Sequence, residues 1–363
     1  MNDVVHVLVL MDYGRGLKTW KNRKARNQVS ESVPYGYRSS NSDWQIEFSE
    51  DANENWFMNR SRRLLSRILG FDLVHVWRHR RQAGRADIVW THTEQIHLAY
   101  TALSQLVRRM APAIAQSVWL PEELAAKPPH RALLKRWLLK RSTINVSLSP
   151  SNRELLEQLA PSTDPTFVAF GISPDPFEGI PNPVREPEAR LKVLGLGNDR
   201  HRDWDTLVAA ARLLQPSAEF LILSGTPSSE PLPENVRQRR ATSFEDVREA
   251  YLWADIVCLP LAQNAHASGV TVALEAIFAN RPLLVNNVGG LDAYFPHLSP
   301  MFMPADATPR EWAARLASIH DGYDELASLL KKAALLDVRE NELSSEGYSR
   351  RLITLSKRIL AGG

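Results

Sequence analysis

Residues 265–276 contain the groups best suited to chemistry in this 363-residue sequence. Ser268 and Gly269 begin a predicted helix, whose first N–H groups and positive dipole end have no intrahelical partners. Glycine lets a ligand approach the backbone closely, and the hydroxyls of Ser268 and Thr271 add hydrogen-bond donors. The helix start Ser268–Thr271, with Gly269 and Val270 inside it, therefore predicts a binding site for a diphosphate.

Glu275 lies further along the same predicted helix. At about 1.5 Å of rise per residue it is roughly 9 Å from the helix start, where a carboxylate can accept hydrogen bonds from both hydroxyls of a ribose. Its sequence neighbours are apolar, so the carboxylate needs a partner. Asn280 and Pro282 end the helix, and Gly289-Gly290 predicts a loop that returns to the same strand ends.

Strands alternate with helices along both halves of the chain, which predicts two α/β domains with parallel sheets covered on both faces. We expect strands at residues 4–10, 86–90, 113–118, 144–148, 192–196, 220–223, 255–259 and 282–285. Parallel sheets bind ligands at the carboxyl ends of their strands, here toward a cleft between the domains. Ser243 and Asp246 predict a capping box at the start of one helix.

The domain boundaries follow from proline content and polar composition. A proline-rich linker over residues 171–187 separates an N-terminal domain, residues 1–172, from a C-terminal domain, residues 188–340. We expect a last helix at about 345–360 to pack back on the N-terminal domain. The polar segment from Lys18 to Asp43 predicts a long functional or mobile loop.

Composition favours a soluble protein in a reducing compartment. Apolar residues make up 44% and charged residues 23%, and no apolar stretch is long enough to span a membrane. The segment Met1–Val4 lacks the layout of a signal peptide. Cys258 is the only cysteine, so an internal disulfide is impossible. We expect a cytoplasmic protein, either free in the cytoplasm or peripheral on the inner face of the membrane.

The net charge is only +3, but basic residues are concentrated in the N-terminal half of the chain. The basic residues cluster at Arg15–Arg26, at Arg60, Arg62, Arg63 and Arg67, at Arg78, Arg80, Arg81 and Arg85, and at Arg131–Arg141. Such a field suits an anionic membrane surface, a phosphate-bearing acceptor or nucleic acid, or is a solvated surface. Residues His130–Arg141 predict a helix with Leu133, Leu134, Trp137 and Leu138 on one face, either an interfacial membrane helix or one packed on its own domain.

Residues 265–291 resemble the C-terminal signature of the group-1 (family 4-like) glycosyltransferases, a large retaining family of the GT-B fold. That signature, Glu-Ala-Met-Ala-x-Gly-x-Pro followed by a Gly-Gly loop, aligns with Glu275, Pro282 and Gly289-Gly290. Glu275 matches the second glutamate of the family's Glu-x7-Glu motif, which implies a ribose contact. Ala267 replaces the first glutamate, and His266, Ser268 or Thr271 would take over its contact with the sugar.

Residues 195–207 resemble the family's phosphate-binding stretch after the first strand of the C-terminal domain. Arg202 takes the place of its lysine, and a guanidinium binds a diphosphate at least as well because it binds bidentately. Arg200 is the candidate for the family's preceding arginine.

The N-terminal half carries a thinner resemblance. Gly14-Arg15-Gly16 stands where GT-B enzymes have a glycine-rich loop near the donor phosphates and the acceptor. Residues 87–92 resemble the family's Asp-Val-Val-His-x-His strand end. Gln116 follows where relatives place a cleft histidine, so the resemblance leaves His92 and Glu94 as the candidate catalytic residues.

The resemblance implies an α/β protein of the GT-B fold, with two Rossmann-like domains facing each other across a cleft. It implies transfer of a sugar from a UDP- or GDP-sugar to a glycan or lipid-linked acceptor in bacterial polysaccharide or glycolipid synthesis, without nucleic acid as a partner. The sequence shows no cluster with metal-ligand spacing, so we expect neither a metal nor another cofactor. Arginines and a helix start would stabilise the leaving diphosphate instead.

Two rival functions remain compatible with the sequence. A nucleotide-sugar epimerase of the same fold would use the same diphosphate site and release a changed sugar nucleotide without an acceptor. A non-catalytic homologue would keep the fold and act as a membrane-surface partner protein.

Overall fold

The computed structural model describes residues 4–39, 42–126, 132–186 and 188–362. They form two compact units: the first takes its residues from 1–26, 31–169 and 345–363, the second from 27–30 and 170–344. Met1–Asp3, at the start of the segment tested for a signal peptide, lie outside the described residues. So do His130 and Arg131 of the predicted amphipathic helix and Pro187 of the predicted linker.

The first unit is built on a parallel sheet of six strands in the order β2-β1-β3-β4-β5-β6. Its strands are β1 Val5–Leu10, β2 Trp44–Phe48, β3 Ile88–Thr91, β4 Ala113–Ser117, β5 Ile144–Ser147 and β6 Thr166–Phe167. The central strands are buried on both faces, as expected for a parallel sheet. In the register, Leu10 is paired with Thr91, so β1 and β3 end side by side. The residues that follow these two strands therefore meet at one edge of the sheet.

Eight helices precede the second unit's sheet along the described chain. They are α1 Leu17–Ala25, α2 Trp56–Leu69, α3 Leu73–Arg78, α4 Arg80–Ala83, α5 Glu94–Ser104, α6 Leu120–Ala126, α7 Ala132–Leu139 and α8 Pro150–Leu159. One core joins the sheet to α3, α5 and α7 through buried residues such as Leu8, Val76, Leu98 and Leu138. The helices α2, α3, α5 and α7 consequently lie on the same side of the sheet.

The prediction of a loop throughout Lys18–Asp43 is wrong, because residues Leu17–Ala25 form α1 and Pro34–Gly36 form a short 3-10 turn. The segment is polar in composition, but one apolar side chain anchors it to the unit. Trp20 is buried, and its indole N–H donates a hydrogen bond to the carbonyl of Glu31 at 2.9 Å. One tryptophan thus fixes both the helix and the segment that returns from it.

The second unit has a five-stranded parallel sheet in the order β11-β10-β7-β8-β9. Its elements are β7 Leu191–Leu196, α9 Trp204–Leu213, β8 Ala218–Leu223, β9 Val236–Arg239, α10 Phe244–Trp253, β10 Ile256–Leu259, α11 Val270–Phe278, β11 Leu283–Val285, α12 Pro309–Asp321 and α13 Tyr323–Glu340. The predicted capping box is confirmed: Asp246 N–H donates to Ser243 Oγ at 3.1 Å, and Ser243 N–H donates to the Asp246 carboxylate at 3.3 Å.

The last helix, α14 Ser345–Gly362, belongs to the first unit. Trp90 of β3 donates its indole N–H to Ser356 Oγ at 2.9 Å, and Leu352 is buried beside it. Among the described residues, no helix combines the length and the apolar character needed to cross a bilayer.

Candidate functional site

The start of α11 is an open turn. Gly269 is the N-cap residue with φ of +94°, and Ala267 just before it has φ of +54°, so the chain turns sharply into the helix. Among the described residues, no side chain caps this first turn. Val270 is buried and Thr271 is exposed, which directs one side chain into the core and the other to solvent. The N–H of Val270 donates to the carbonyl of Ala267 at 3.2 Å, whereas the N–H groups of Thr271 and Val272 have no partner in the described part of the chain and are available to an anion.

Two neighbouring segments hold this turn in place. The side-chain oxygen of Asn264 accepts hydrogen bonds from the N–H groups of His266 at 3.2 Å and Ser268 at 3.1 Å. The predicted glycine loop returns here: a Cβ on Gly289 would lie 2.6 Å from Asn264 Oδ1 and 2.9 Å from the nitrogen of Ala267. Because a side chain at position 289 would displace the turn, glycine is required for this close approach.

Arg202 lies against the same turn. Its Nη1 donates to Ser268 Oγ at 2.8 Å, and its Nε donates to the carbonyl of Leu196 at 3.2 Å. A Cβ on Gly197, which has φ of +131°, would lie 2.5 Å from Nε of Arg202, so only glycine leaves room for the guanidinium. Burial lowers the pKa of Arg202. Among the described residues, no carboxylate lies within ion-pair distance of this guanidinium.

Asp199 joins the two histidines of the site. Its carboxylate lies 3.1 Å from Nδ1 of His201 and 3.3 Å from Nε2 of His266, and the two imidazole centroids are 4.8 Å apart. Burial opposes ionisation of Asp199, but its hydrogen bonds to His266 and to the N–H of His201 outweigh burial and lower its pKa. The possible ligand atoms of these three residues lie within 4.8 Å of one another, a spacing that a metal ion could share. Arg200, exposed on the same turn, makes no hydrogen bond to this group.

Glu275 has the buried partner that its surroundings require. Tyr251 of α10 donates its hydroxyl to Oε2 of Glu275 at 2.9 Å. Burial, followed by the charge of Glu275, raises the pKa of Tyr251 well above its usual value, so the tyrosine stays a donor. This hydrogen bond fixes the orientation of the Glu275 carboxylate, and Glu275 is half-buried on α11.

These contacts bring most of the predicted donor-binding residues of the second unit together. Arg202, Ser268 and Gly269 are in direct contact, His266 joins them through Asp199, and Glu275 lies on the helix that Gly269 begins. Sequence reasoning missed Asp199, Asn264 and Tyr251. The Asp-x-His spacing of Asp199 and His201 was a readable signal for the first of them.

In the first unit, the predicted glycine-rich loop is held by a carboxylate. Asp51 accepts hydrogen bonds from the N–H groups of Gly14 at 2.7 Å and Gly16 at 3.2 Å. A Cβ on Gly16 would lie 2.8 Å from the nitrogen of Asp51, so this contact requires glycine. Arg15 is hydrogen-bonded to the hydroxyl of Tyr35. Two amides of the loop are therefore engaged by the protein itself.

His92 is packed inside the first unit. Its Nδ1 lies 2.9 Å from the hydroxyl of Tyr37, and its ring stacks on Tyr35 with centroids 3.8 Å apart. Burial, with a smaller contribution from the Arg15 cation, lowers the pKa of His92 to about 3. The imidazole is neutral at physiological pH and holds the two tyrosines in position.

Two carboxyl groups lie at the ends of β1 and β3. Asp12 accepts a hydrogen bond from the Thr93 hydroxyl at 2.7 Å through Oδ1, while its buried Oδ2 has no hydrogen-bond partner among the described residues. Glu94 accepts a hydrogen bond from the N–H of Val118 at 3.1 Å. Burial raises the pKa of both carboxyl groups, and the charge of Asp12 adds to the effect on Glu94. Asp12 is a candidate that the sequence analysis missed.

An open cavity of about 960 Å³ extends from Asp12 along α2. Its polar lining includes Tyr13, Asn59, Arg60, Arg62, Arg63, Ser66, Arg67 and Gln95. The Arg62 guanidinium is neutralised by Glu54 at 2.9 Å and Asp72 at 2.6 Å, and Arg60 and Arg63 add positive charge to the lining. An anionic or polyhydroxylated ligand fits such a lining.

No protein-family model and no curated protein matches the sequence. Solved structures match nearly the whole chain. Sucrose-phosphate synthase from Thermosynechococcus elongatus has a TM-score of 0.69 at 14% identity and covers 99% of this chain and 100% of its own. Anabaena HepE in complex with UDP-glucose has a TM-score of 0.65 at 12% identity, with 97% and 99% covered. A glycosyltransferase from Rickettsia africae has a TM-score of 0.60 at 14% identity, with both chains covered fully at 100%.

Identities this low establish the fold and nothing further. The two parallel sheets of six and five strands match structures of the GT-B type, so the predicted α/β fold class is confirmed.

Proposed function

We propose that this chain, which has the GT-B fold, is a glycosyltransferase that moves a sugar from a UDP- or GDP-sugar to a glycan or lipid-linked acceptor. The observation that carries the proposal is the contact of Arg202 with Ser268 at the start of α11, with Glu275 on the same helix. The Arg202 cation and the open start of α11 suit the two phosphates of a nucleotide, and the Glu275 carboxylate suits its ribose.

Arg202 supports an anionic ligand most strongly. Burial removes hydration from the Arg202 guanidinium and lowers its pKa, and the nearby charges of Asp199 and Glu275 offset only part of this cost, so the guanidinium has no direct counter-charge within the described residues. A diphosphate would supply that charge and accept bidentate hydrogen bonds. In the reaction, the same contacts would stabilise the negative charge that develops on the leaving diphosphate.

The two structural neighbours named first agree with this assignment at the level of the fold. One is a synthase of sucrose phosphate, and the other is described in complex with UDP-glucose. We infer a donor of the same class for this chain. The resemblance of residues 265–291 to group-1 glycosyltransferases favours a retaining, metal-independent hexosyltransferase.

The acceptor would occupy the first unit. The positively charged cavity along α2 suits an acceptor that carries phosphate, as lipid-linked saccharides do. The buried Oδ2 of Asp12 would then accept the hydrogen bond of the acceptor hydroxyl, with Glu94 as the second candidate, in place of the packed and neutral His92. We therefore propose a role in polysaccharide or glycolipid synthesis.

A two-stage experiment separates this function from its rivals. Thermal shift with a panel of UDP- and GDP-sugars identifies the donor, and mass spectrometry with NMR then follows the sugar after incubation with candidate acceptors. A glycosyltransferase yields a glycosylated acceptor and free nucleoside diphosphate, and the anomeric proton reports retention. Isomerised sugar nucleotide without acceptor would establish an epimerase. Stabilisation without turnover of any acceptor would favour the non-catalytic homologue.

A further inference from the structure

Helix α2 presents its apolar side to solvent. Phe57, Leu64 and Ile68 lie on one face of the helix at spacings of seven and four residues, and their exposed fractions are 70%, 59% and 57%. Trp56 at the helix start is 73% exposed. A surface helix of a globular protein normally turns such a face toward its own core. Helix α2 instead turns its apolar face toward solvent.

The inner side of α2 explains this orientation. Arg62 is the only buried residue of the helix, and its guanidinium forms ion pairs with Glu54 and Asp72. Asn55 caps the helix by accepting a hydrogen bond from the N–H of Met58 at 2.9 Å. Charged contacts therefore attach α2 to the first unit, and its apolar side remains available to a partner.

Helix α7 continues the exposed apolar surface. Leu133 is 80% exposed, and Leu134 and Trp137 are also exposed, whereas Leu138 is buried in the core. The predicted face of four residues is therefore wrong for Leu138. A Cβ on Gly70, which ends α2, would lie 3.3 Å from Cε of Lys135 in α7, so the two helices are neighbours. We call the exposed sides of Trp56–Leu69 and Ala132–Leu139 the α2–α7 face.

The charges around this face are basic. Neither helix contains an acidic residue, and α2 adds Arg60, Arg63 and Arg67 to its apolar side chains. The guanidinium of Arg60 lies 5.5 Å from the ring centroid of Trp56, and that of Arg141 lies 3.9 Å from the centroid of Trp137. Tryptophan beside arginine suits the boundary between lipid acyl chains and headgroups, where one end of each side chain is apolar and the other is wet.

We propose that the α2–α7 face docks on an anionic lipid bilayer, with α2 lying in the plane of the interface. The apolar stripe would enter the acyl boundary, and the arginines would contact lipid phosphates. A second copy of this chain fits the face poorly, because arginines of one copy would meet arginines of the other. Docking would also bring the cavity lined by Arg60, Arg63 and Arg67 to the headgroup layer, where a phosphorylated lipid acceptor resides.

Vesicle co-sedimentation tests the proposal without any need for turnover. The full chain is incubated with vesicles of phosphatidylcholine alone and with vesicles that also contain phosphatidylglycerol. We expect binding to the anionic vesicles and a partition coefficient at least ~10-fold lower for the triple variant Phe57→Ser/Leu64→Ser/Ile68→Ser. The matched control Leu213→Ser/Leu252→Ser/Leu335→Ser changes three exposed leucines of the second unit and should bind like the wild type.

Two further measurements make the result decisive. Leu133→Ser/Leu134→Ser should also weaken binding, and Arg63→Glu should abolish the preference for anionic vesicles. Full binding by the triple variant would overturn the proposal. A wild-type dimer that the triple variant converts to a monomer, measured by light scattering, would assign the face to a second copy instead. Binding of soluble nucleotide should be unchanged in all variants, so failure here is distinct from failure of the proposed donor site.

Discussion

The candidate sites of the two units differ in what holds their polar groups in place. In the second unit, Asp199 is held by two histidines, Glu275 by Tyr251, and Arg202 is positioned by the Ser268 hydroxyl. In the first unit, a buried oxygen of Asp12 has no partner among the described residues, and α2 exposes an apolar face. The candidate donor-binding side chains of the second unit are therefore positioned by protein contacts before a ligand supplies the counter-charge of Arg202, whereas the first unit leaves one carboxylate oxygen of Asp12 and the apolar face of α2 for a ligand or partner.

This difference follows from the ligands that we propose for the two units. A nucleoside diphosphate has the same phosphates and ribose whichever sugar it carries, so a rigid arrangement of a few groups serves it. An acceptor varies in shape and charge, and its binding surface varies with it. The comparison makes four predictions, which follow from the largest expected effect to the smallest.

Replacing Arg202 of the second unit should have the largest effect. Arg202→Ala removes the charge that we propose contacts the diphosphate, and we expect nucleotide affinity to fall about 100-fold, or ~2.7 kcal/mol, by calorimetry. Arg202→Lys should recover part of the loss because it restores the charge without the bidentate geometry. The control Arg212→Ala changes an exposed arginine of the same unit and should leave affinity unchanged. Equal affinities for all three would contradict the assignment.

Neutralising Asp12 should affect turnover and leave donor binding intact. We expect Asp12→Asn to lower kcat about 10- to 100-fold, because the amide is a weaker acceptor for the acceptor hydroxyl, while nucleotide affinity stays at the wild-type value. Asp164→Asn, an exposed aspartate of the same unit, is the matched control. A loss of nucleotide affinity in Asp12→Asn would contradict the proposal that the second unit binds the donor and the first unit binds the acceptor.

Crowding the guanidinium should have a moderate effect. Gly197→Ala places a Cβ 2.5 Å from Nε of Arg202, and we expect about a 10-fold loss of nucleotide affinity from its displacement. Gly179 also has a positive φ, of +75°, but a Cβ there meets nothing within 4 Å. Gly179→Ala therefore carries backbone strain without the collision. Equal losses of nucleotide affinity in Gly197→Ala and Gly179→Ala would show that affinity does not depend on the position of the Arg202 guanidinium.

The last prediction, with the smallest expected effect on ligand binding and turnover, concerns pH and the stability of the first unit. Burial lowers the pKa of both His92 and His97 to about 3, so the folded unit resists their protonation. Below about pH 6.5 the unfolded chain binds more protons, and each histidine should cost ~1.4 kcal/mol of unfolding free energy per pH unit as pH falls toward 4. Denaturation at pH 7, 6 and 5 measures this slope. His97→Gln should flatten it, whereas His6→Gln, at an exposed position, should leave it as steep as before.

The sequence predicted most of the strands and the position of the candidate donor-binding residues at the start of α11 and along it. Buried apolar runs identified the central strands, since period and length are local properties. Ser268, Gly269 and Glu275 were predictable because a helix start and a position further along it are fixed by spacing alone. Tyr251 was not, because it is 24 residues from Glu275 and only the packing of α10 on α11 brings them together.

The first unit shows why other features of the molecule could not be predicted from the sequence. The pattern of Phe57, Leu64 and Ile68 is the one that normally indicates a core-facing helix, and only Arg62, with its distant carboxylates, reverses it. Asp12 follows a buried strand just before the glycine-rich loop, and only the pairing of β1 with β3 brings its carboxylate to the Thr93 hydroxyl. His92 was predicted to line the site, but Tyr35 and Tyr37 enclose it, and neither contact has a signal in the local sequence.

A crystal structure with bound UDP or GDP tests the central claim most directly. The account predicts phosphate oxygens within hydrogen-bond distance of the Arg202 guanidinium and of the first N–H groups of α11, with both ribose hydroxyls on the Glu275 carboxylate. A nucleotide bound elsewhere on the chain, with Arg202 and Glu275 untouched, would contradict it.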